Sequence, residues 1–127
     1  MNKCIIAVDF DGTCVTHAYP YIGKDIGSVP VLKDLVDRGH QLILWTMRSG
    51  AFLDDAVEWF SDNEIPLFGV QMNPTQNEWT TSPKAYAQVY IDDAALGCPL
   101  SWDPALSDRP FVNWDTVRKI CETNNIL

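Results

Sequence analysis

Four carboxylates, one hydroxyl and one ammonium carry the chemistry open to this sequence: Asp9 and Asp11, then Thr46 and Lys84, then Asp92 with Asp93. Clustered carboxylates suit a hard divalent cation, which takes oxygen ligands. A hydroxyl and an ammonium beside them offer donors to an anionic group. Together they answer a specific physical problem, since a carboxylate can attack a phosphoryl group only where a cation and nearby donors offset the repulsion. Gly12, next to Asp11, lets the chain turn sharply beside such a group.

These residues lie far apart in the chain, so the elements between them must gather them. Lys3 to Asp9 is a continuous apolar run that stops abruptly at Asp-Phe-Asp-Gly-Thr, which suits a strand buried on both faces. Cys14 to Val29 has no clear period and reads as an irregular flap. A helix is predicted from Pro30 to Arg38, with Ser28 as its cap, Val31, Leu32, Leu35 and Val36 as its apolar stripe and Gly39 as its stop.

Gln41 to Thr46 reads as a second buried strand. Phe52, Ala56, Trp59 and Phe60 then recur at helical spacing until Asn63-Glu-Ile-Pro breaks the pattern. A short strand over Leu67 to Val70 leads into the polar, turn-rich stretch from Gln71 to Pro83. Ala85 to Ile91 supplies a further strand ending in Asp92-Asp93, and a Pro-rich connection from Cys98 to Pro110 precedes a last helix capped by Asp115, with Val117, Ile120 and Cys121 inward. This alternation predicts one domain over residues 1–127, an α/β three-layer Rossmann-like parallel sheet with helices on both faces. The carboxyl ends of parallel strands share one edge, where Asp9, Asp11, Thr46, Asp92 and Asp93 should converge, with Lys84 brought near by its loop.

Asp9-Phe-Asp-Gly-Thr13 after a buried strand resembles the first motif of the haloacid dehalogenase (HAD) superfamily. Leu42-Ile-Leu-Trp-Thr46 resembles the second motif, Lys84 the third and Ile91-Asp92-Asp93 the fourth, in the family's order and over most of the chain. The resemblance implies a magnesium-dependent phosphatase acting on a phosphate monoester. Asp9 would be the nucleophile that forms an aspartyl phosphate, and Asp11 the general acid and base. Thr46 and Lys84 would bind phosphate. The metal would sit on Asp9, the carbonyl of Asp11 and Asp92, with Asp93 as a further ligand or as an orienting neighbour. Neither interval that holds a cap in larger members has room for one, so the chain is similar to the small cap-less phosphatases.

Other residues carry weaker expectations. Arg48, two positions after Thr46, can clamp an anionic substrate group or form a surface ion pair. His17, Tyr19 and Tyr21 lie in the flap as substrate contacts. Trp59 and Trp114 read as core, while Trp45 and Trp79 lie near the predicted site loops.

Nine Lys and Arg against 17 Asp and Glu give a net charge of −8, which repels polyanions and disfavours nucleic acid. A small phosphorylated metabolite or phosphorylated group is the expected partner, and an open site allows a homo-oligomer whose neighbouring subunit roofs it. No apolar run approaches the roughly 20 residues of a membrane span, and Asp9 interrupts the N-terminal run before it could serve as a signal peptide, so the expectation is a cytoplasmic protein. Cys4, Cys14, Cys98 and Cys121 lack any C-x-x-C pair and read as buried thiols.

Two rivals share the chemistry. A dehalogenase would use the same nucleophile without magnesium, against which the second Asp of the first motif and the Asp92-Asp93 pair speak. A slow-turnover or non-catalytic phospho-accepting domain would bind metal and phosphate for signalling, although in receiver-like domains the acidic pair comes early rather than late in the chain.

Overall fold

The computed structural model describes residues 3–127; Met1 and Asn2, included in the single-domain reading, lie outside the described residues. β1 (Ile5–Val8), β2 (Gln41–Leu44), β3 (Gly69–Val70) and β4 (Val89–Ile91) form one parallel sheet in the order β3-β2-β1-β4. Register is fixed by pairs such as Val8 with Leu44 and Val8 with Ile91, which brings the ends of β1, β2 and β4 level. The helices are α1 (Ser28–Asp37), α2 (Gly50–Asp62) and α3 (Trp114–Thr123). A mixed α/β fold with a parallel sheet flanked by helices therefore stands as expected.

Alternation along the strands sorts the core into two faces. Ile6, Val8, Leu42, Leu44 and Ile91 share one cluster with Leu32 and Leu35 of α1, Ala56 and Phe60 of α2, and Trp114, Val117 and Cys121 of α3. Ala7 and Ile43, also buried, point the other way and stay outside that cluster. The helical layer these contacts define thus lies on one side of the sheet, in place of the helices expected on both faces. The connection from β3 to β4 contains only a short 3-10 turn at Gln76–Glu78, because residues 71–83 offer no apolar stripe at helical spacing.

Several boundaries differ for local reasons. Ser28 lies inside α1, where its buried hydroxyl donates to the Cys14 carbonyl, and Gly27 takes the capping position. Asn113, not Asp115, caps α3 by accepting from the Thr116 amide at 3.0 Å. The final strand of the sheet is shorter than the run from Ala85, since Gln88 is the residue whose amide meets Ile5 and pairing begins at Val89. The Pro-rich connection forms a small antiparallel pair, β5 (Leu100–Ser101) with β6 (Phe111–Val112). Cys4, Cys14, Cys98 and Cys121 form no disulfide. No helix among the described residues is long and apolar enough to cross a membrane.

Candidate active site

The main chain draws the acidic residues together. The amide of Asp9 donates to the carbonyl of Ile91 at 3.0 Å, and the amide of Trp45 donates to Val8 at 2.9 Å. Asp9, Asp92 and Thr46 thereby leave adjacent strands at one edge. A cleft of about 330 Å³ opens there, lined by Asp9, Trp45, Thr46, Met47, Gln71 and Asp92.

One carboxylate oxygen from each of Asp9, Asp92 and Asp93 lies within 4.8 Å of the others. Burial pushes the Asp9 carboxyl up to about 7 from 3.8, and the charges of Asp92 and Asp93 add to the rise, against hydrogen bonds from the Thr13 hydroxyl and the Phe10 amide. Three acids held this close are the donor set a hard divalent cation fits: all oxygen ligands, with a charge that the cation would offset.

Thr13, the last residue of the Asp-Phe-Asp-Gly-Thr segment, ties the cluster together. Its fully buried hydroxyl donates to Asp9 Oδ2 at 2.7 Å, lies 3.3 Å from Asp93 Oδ1, and accepts from the Asp93 amide at 3.1 Å. A neighbouring hydrogen bond fixes Thr13 itself, whose carbonyl accepts from the indole of Trp114 at 2.7 Å. The sequence signal for this role is its place four residues after Asp9 in the turn, which has meaning only once the turn is known. In that turn the Thr13 and Cys14 amides both donate to the Phe10 carbonyl.

The two late acids are held differently. Asp92 caps a turn, accepting from the Ala94 amide through Oδ1 at 2.8 Å. Asp93 instead is held by side chains, with its Oδ2 2.9 Å from His17 Nε2. His17 is thus an anchor of the acidic cluster. Gly12 does permit a sharp turn, at φ +76, but what lies against it is the His17 ring: a Cβ there would come within 2.0 Å of Nε2.

Asp11 stands apart from the acidic cluster. Arg48 Nε donates to its Oδ2 and Arg48 Nη2 to its Oδ1, each at 2.8 Å. The same guanidinium donates to the carbonyls of Pro20, Tyr21 and Phe52 and lies 5.0 Å from the Phe10 ring and 5.2 Å from the Tyr19 ring. With 2% of its surface exposed, Arg48 is neither a substrate clamp nor a surface ion pair. It is a buried tie between Asp11, the flap and α2, and its donors are spent inside the protein. Tyr19 and Tyr21 are exposed at the flap, where Tyr19 packs edge-on against Phe52.

Thr46 faces the cleft as expected, with its hydroxyl accepting from the Arg48 amide at 3.2 Å. Gln71, directly after β3, braces it: the Gln71 side chain accepts from the Thr46 amide at 2.9 Å and donates to the Thr46 carbonyl at 2.6 Å. Lys84 makes no ion pair with Asp9 among the described residues; its ammonium rests 5.5 Å from the centre of the Tyr90 ring and borders a separate hollow. Trp59 and Trp114 pack in the core, and Trp45 lines the cleft.

The fold and site together define an α/β protein that presents three carboxylates at the carboxyl edge of a parallel sheet. No family model and no curated protein matches the chain. Among solved structures it is similar to a conserved protein from Bacteroides thetaiotaomicron, with 33% identity and a TM-score of 0.79 over 97% of this chain and 93% of that one. The chain belongs to the same family as that Bacteroides protein.

Proposed function

We propose that this chain is a magnesium-dependent phosphatase of the HAD type, without a cap domain, that hydrolyses a small phosphate monoester. The observation that carries the reading is the trio of Asp9, Asp92 and Asp93 oxygens within 4.8 Å of one another, two of these acids lining a cleft shared with Thr46. Asp9, Asp92 and Asp93 are the side chains that would hold magnesium, with the Asp11 carbonyl as a further ligand. The bound cation supplies charge neutralisation, without which a carboxylate is repelled by phosphate.

In this reading the free oxygen of Asp9 attacks phosphorus, the ester oxygen leaves with a proton, and an aspartyl phosphate remains on Asp9. Thr46 donates to the phosphoryl oxygens, positioned by the Gln71 brace. Lys84 adds positive charge when its side chain swings from Tyr90 toward the cleft. Asp11 protonates the leaving oxygen and then takes a proton from the water that attacks the aspartyl phosphate. Both Asp11 oxygens are engaged by Arg48, so this role requires Asp11 to leave that grip during the cycle.

The same ion pair favours a second reading, a phospho-accepting domain with slow turnover. Where Asp11 stays on Arg48, no general base meets the attacking water and the aspartyl phosphate persists. Hydrolysis of a panel of phosphate esters with magnesium or with EDTA tests the first reading. Turnover that needs magnesium supports it, and a phosphorylated protein that stays labelled for minutes supports the second. Absence of both sinks the two together.

A further inference from the structure

The polar groups of the acidic cleft are nearly all committed before a substrate arrives. Asp9, Trp45, Thr46, Met47, Gln71 and Asp92 line it. Both N–H donors of the Gln71 amide are spent, on the Thr46 carbonyl at 2.6 Å and the Arg48 carbonyl at 3.1 Å, while its oxygen accepts from the Thr46 amide. The Thr46 hydroxyl accepts from the Arg48 amide at 3.2 Å, so its own hydrogen is free for a phosphoryl oxygen. Asp9 and Asp92 serve the cation and the phosphoryl group. Among the six, the side-chain donors left over are that hydroxyl and the indole N–H of Trp45.

No Lys or Arg among the described residues lines the cleft. Arg48, two residues beyond Thr46, is buried, and its five N–H donors all end inside the protein, on Asp11 and the carbonyls of Pro20, Tyr21 and Phe52. A leaving group with a second negative charge would therefore meet two carboxylates and no cation of the protein's own, in a chain of net charge −8. A leaving group rich in hydroxyls would give up water for few partners. What the cleft does offer is carbon. The Trp45 ring is half-buried, and Met47, 98% exposed, supplies a flexible thioether that adapts to an apolar neighbour. The cleft is also small, at about 330 Å³ close to the lower limit of roughly 300 Å³ for ligand pockets.

We infer that Trp45 and Met47 seat the leaving group, and that the substrate class is phosphate monoesters of small, neutral, apolar alcohols, as opposed to sugar phosphates, nucleotides or phosphorylated acids. The bond from phosphorus to the ester oxygen breaks as the bond from Asp9 forms, and the alcohol departs along the two apolar side chains with the proton from Asp11. This rests on the phosphatase reading for its chemistry but not for its binding.

Propyl phosphate and glycerol 1-phosphate share a three-carbon chain and differ by two hydroxyls. Glycerol is the more acidic alcohol and the better leaving group, so a preference for the propyl ester runs against intrinsic reactivity. In magnesium, wild type should turn over propyl phosphate with a kcat/KM about tenfold higher, the size of burying roughly two methylenes. Propylphosphonate and 2,3-dihydroxypropylphosphonate have no ester bond to break, and calorimetric titration of each in magnesium should show the same preference. Met47→Ser, at an exposed residue whose exchange does not threaten the fold, should cut that preference severalfold, as should Trp45→Ala. Equal affinities, tighter binding of the hydroxylated phosphonate, binding of neither, or a preference that both variants leave intact would overturn the inference. Preferential binding without turnover of either ester would uphold the apolar seat and defeat the phosphatase reading; turnover with equal phosphonate affinities would do the reverse.

Discussion

Arg48 grips Asp11 with two parallel hydrogen bonds of 2.8 Å, the fork of a guanidinium meeting both oxygens of a carboxylate. The pair joins the turn after β1 to the entrance of α2, and the remaining Arg48 donors close the flap through the Pro20 and Tyr21 carbonyls. Removing one partner of a buried pair leaves the other uncompensated. Arg48→Met is expected to lower stability by about 3 kcal/mol, read from urea unfolding. Arg48→Lys should also destabilise, since an ammonium cannot reproduce the fork. A double variant with Asp11→Leu should cost clearly less than the two single costs added; strict additivity would show that the pair is not coupled.

Thr13→Val keeps the shape and removes the hydroxyl that ties Asp9 to Asp93. The expected cost is about 1–2 kcal/mol. Because that hydrogen bond holds the Asp9 carboxyl down, its loss should raise the pH needed for magnesium binding. Titration of magnesium at a series of pH values checks this, and an unmoved midpoint would count against Thr13 as the tie.

Asp9 is raised from 3.8 to about 7, chiefly by burial, so the folded chain binds a proton more readily than the unfolded chain between those values. Its contribution to the metal-free protein is full below pH 3.8 and is lost as pH rises through about 7. Magnesium needs the ionised carboxylate and should reverse the trend, with protons released on binding. Urea midpoints in EDTA and in magnesium, at pH 5 and pH 8, read this directly. The stabilisation by magnesium should be larger at pH 8; a larger effect at pH 5 would contradict the raised Asp9.

Gly12 and Gly27 both have positive φ, +76 and +88, but only Gly12 has a neighbour where a side chain would stand. Alanine at either position incurs the left-handed cost of roughly 1–2 kcal/mol. Gly12→Ala must also displace the His17 ring from Asp93, so it should destabilise more and weaken magnesium binding, whereas Gly27→Ala should leave magnesium affinity unchanged. Comparable effects on both readouts would remove the link from Gly12 to the site.

The strand ends that matter were legible because an apolar run that stops at an acid has few other readings: Asp9 and Asp92 fall at the ends of β1 and β4. Helical spacing likewise located α1 and α2, and the cap of α1 falls on Gly27 rather than Ser28 because Ser28 finds a partner in Cys14, 14 residues away. Thr13, His17 and Gln71 were hidden for the same reason. Each acts through a residue far along the chain, such as Asp93 for His17 and Thr46 for Gln71, and local pattern holds no record of such pairs. Arg48 was seen as a charge near the site, but its burial depends on Phe10, Tyr19 and three carbonyls that only the folded flap assembles.

The central claim is that the carboxylate of Asp9 attacks phosphorus, and the most direct measurement is turnover of a phosphate ester in magnesium by wild type and Asp9→Asn, with acid-quenched protein assayed for covalent phosphate. The account predicts magnesium-dependent turnover and trapped phosphate in wild type, with Asp9→Asn losing both, turnover by on the order of a thousandfold or more. Full turnover by Asp9→Asn, or covalent phosphate on a residue other than Asp9, would contradict it.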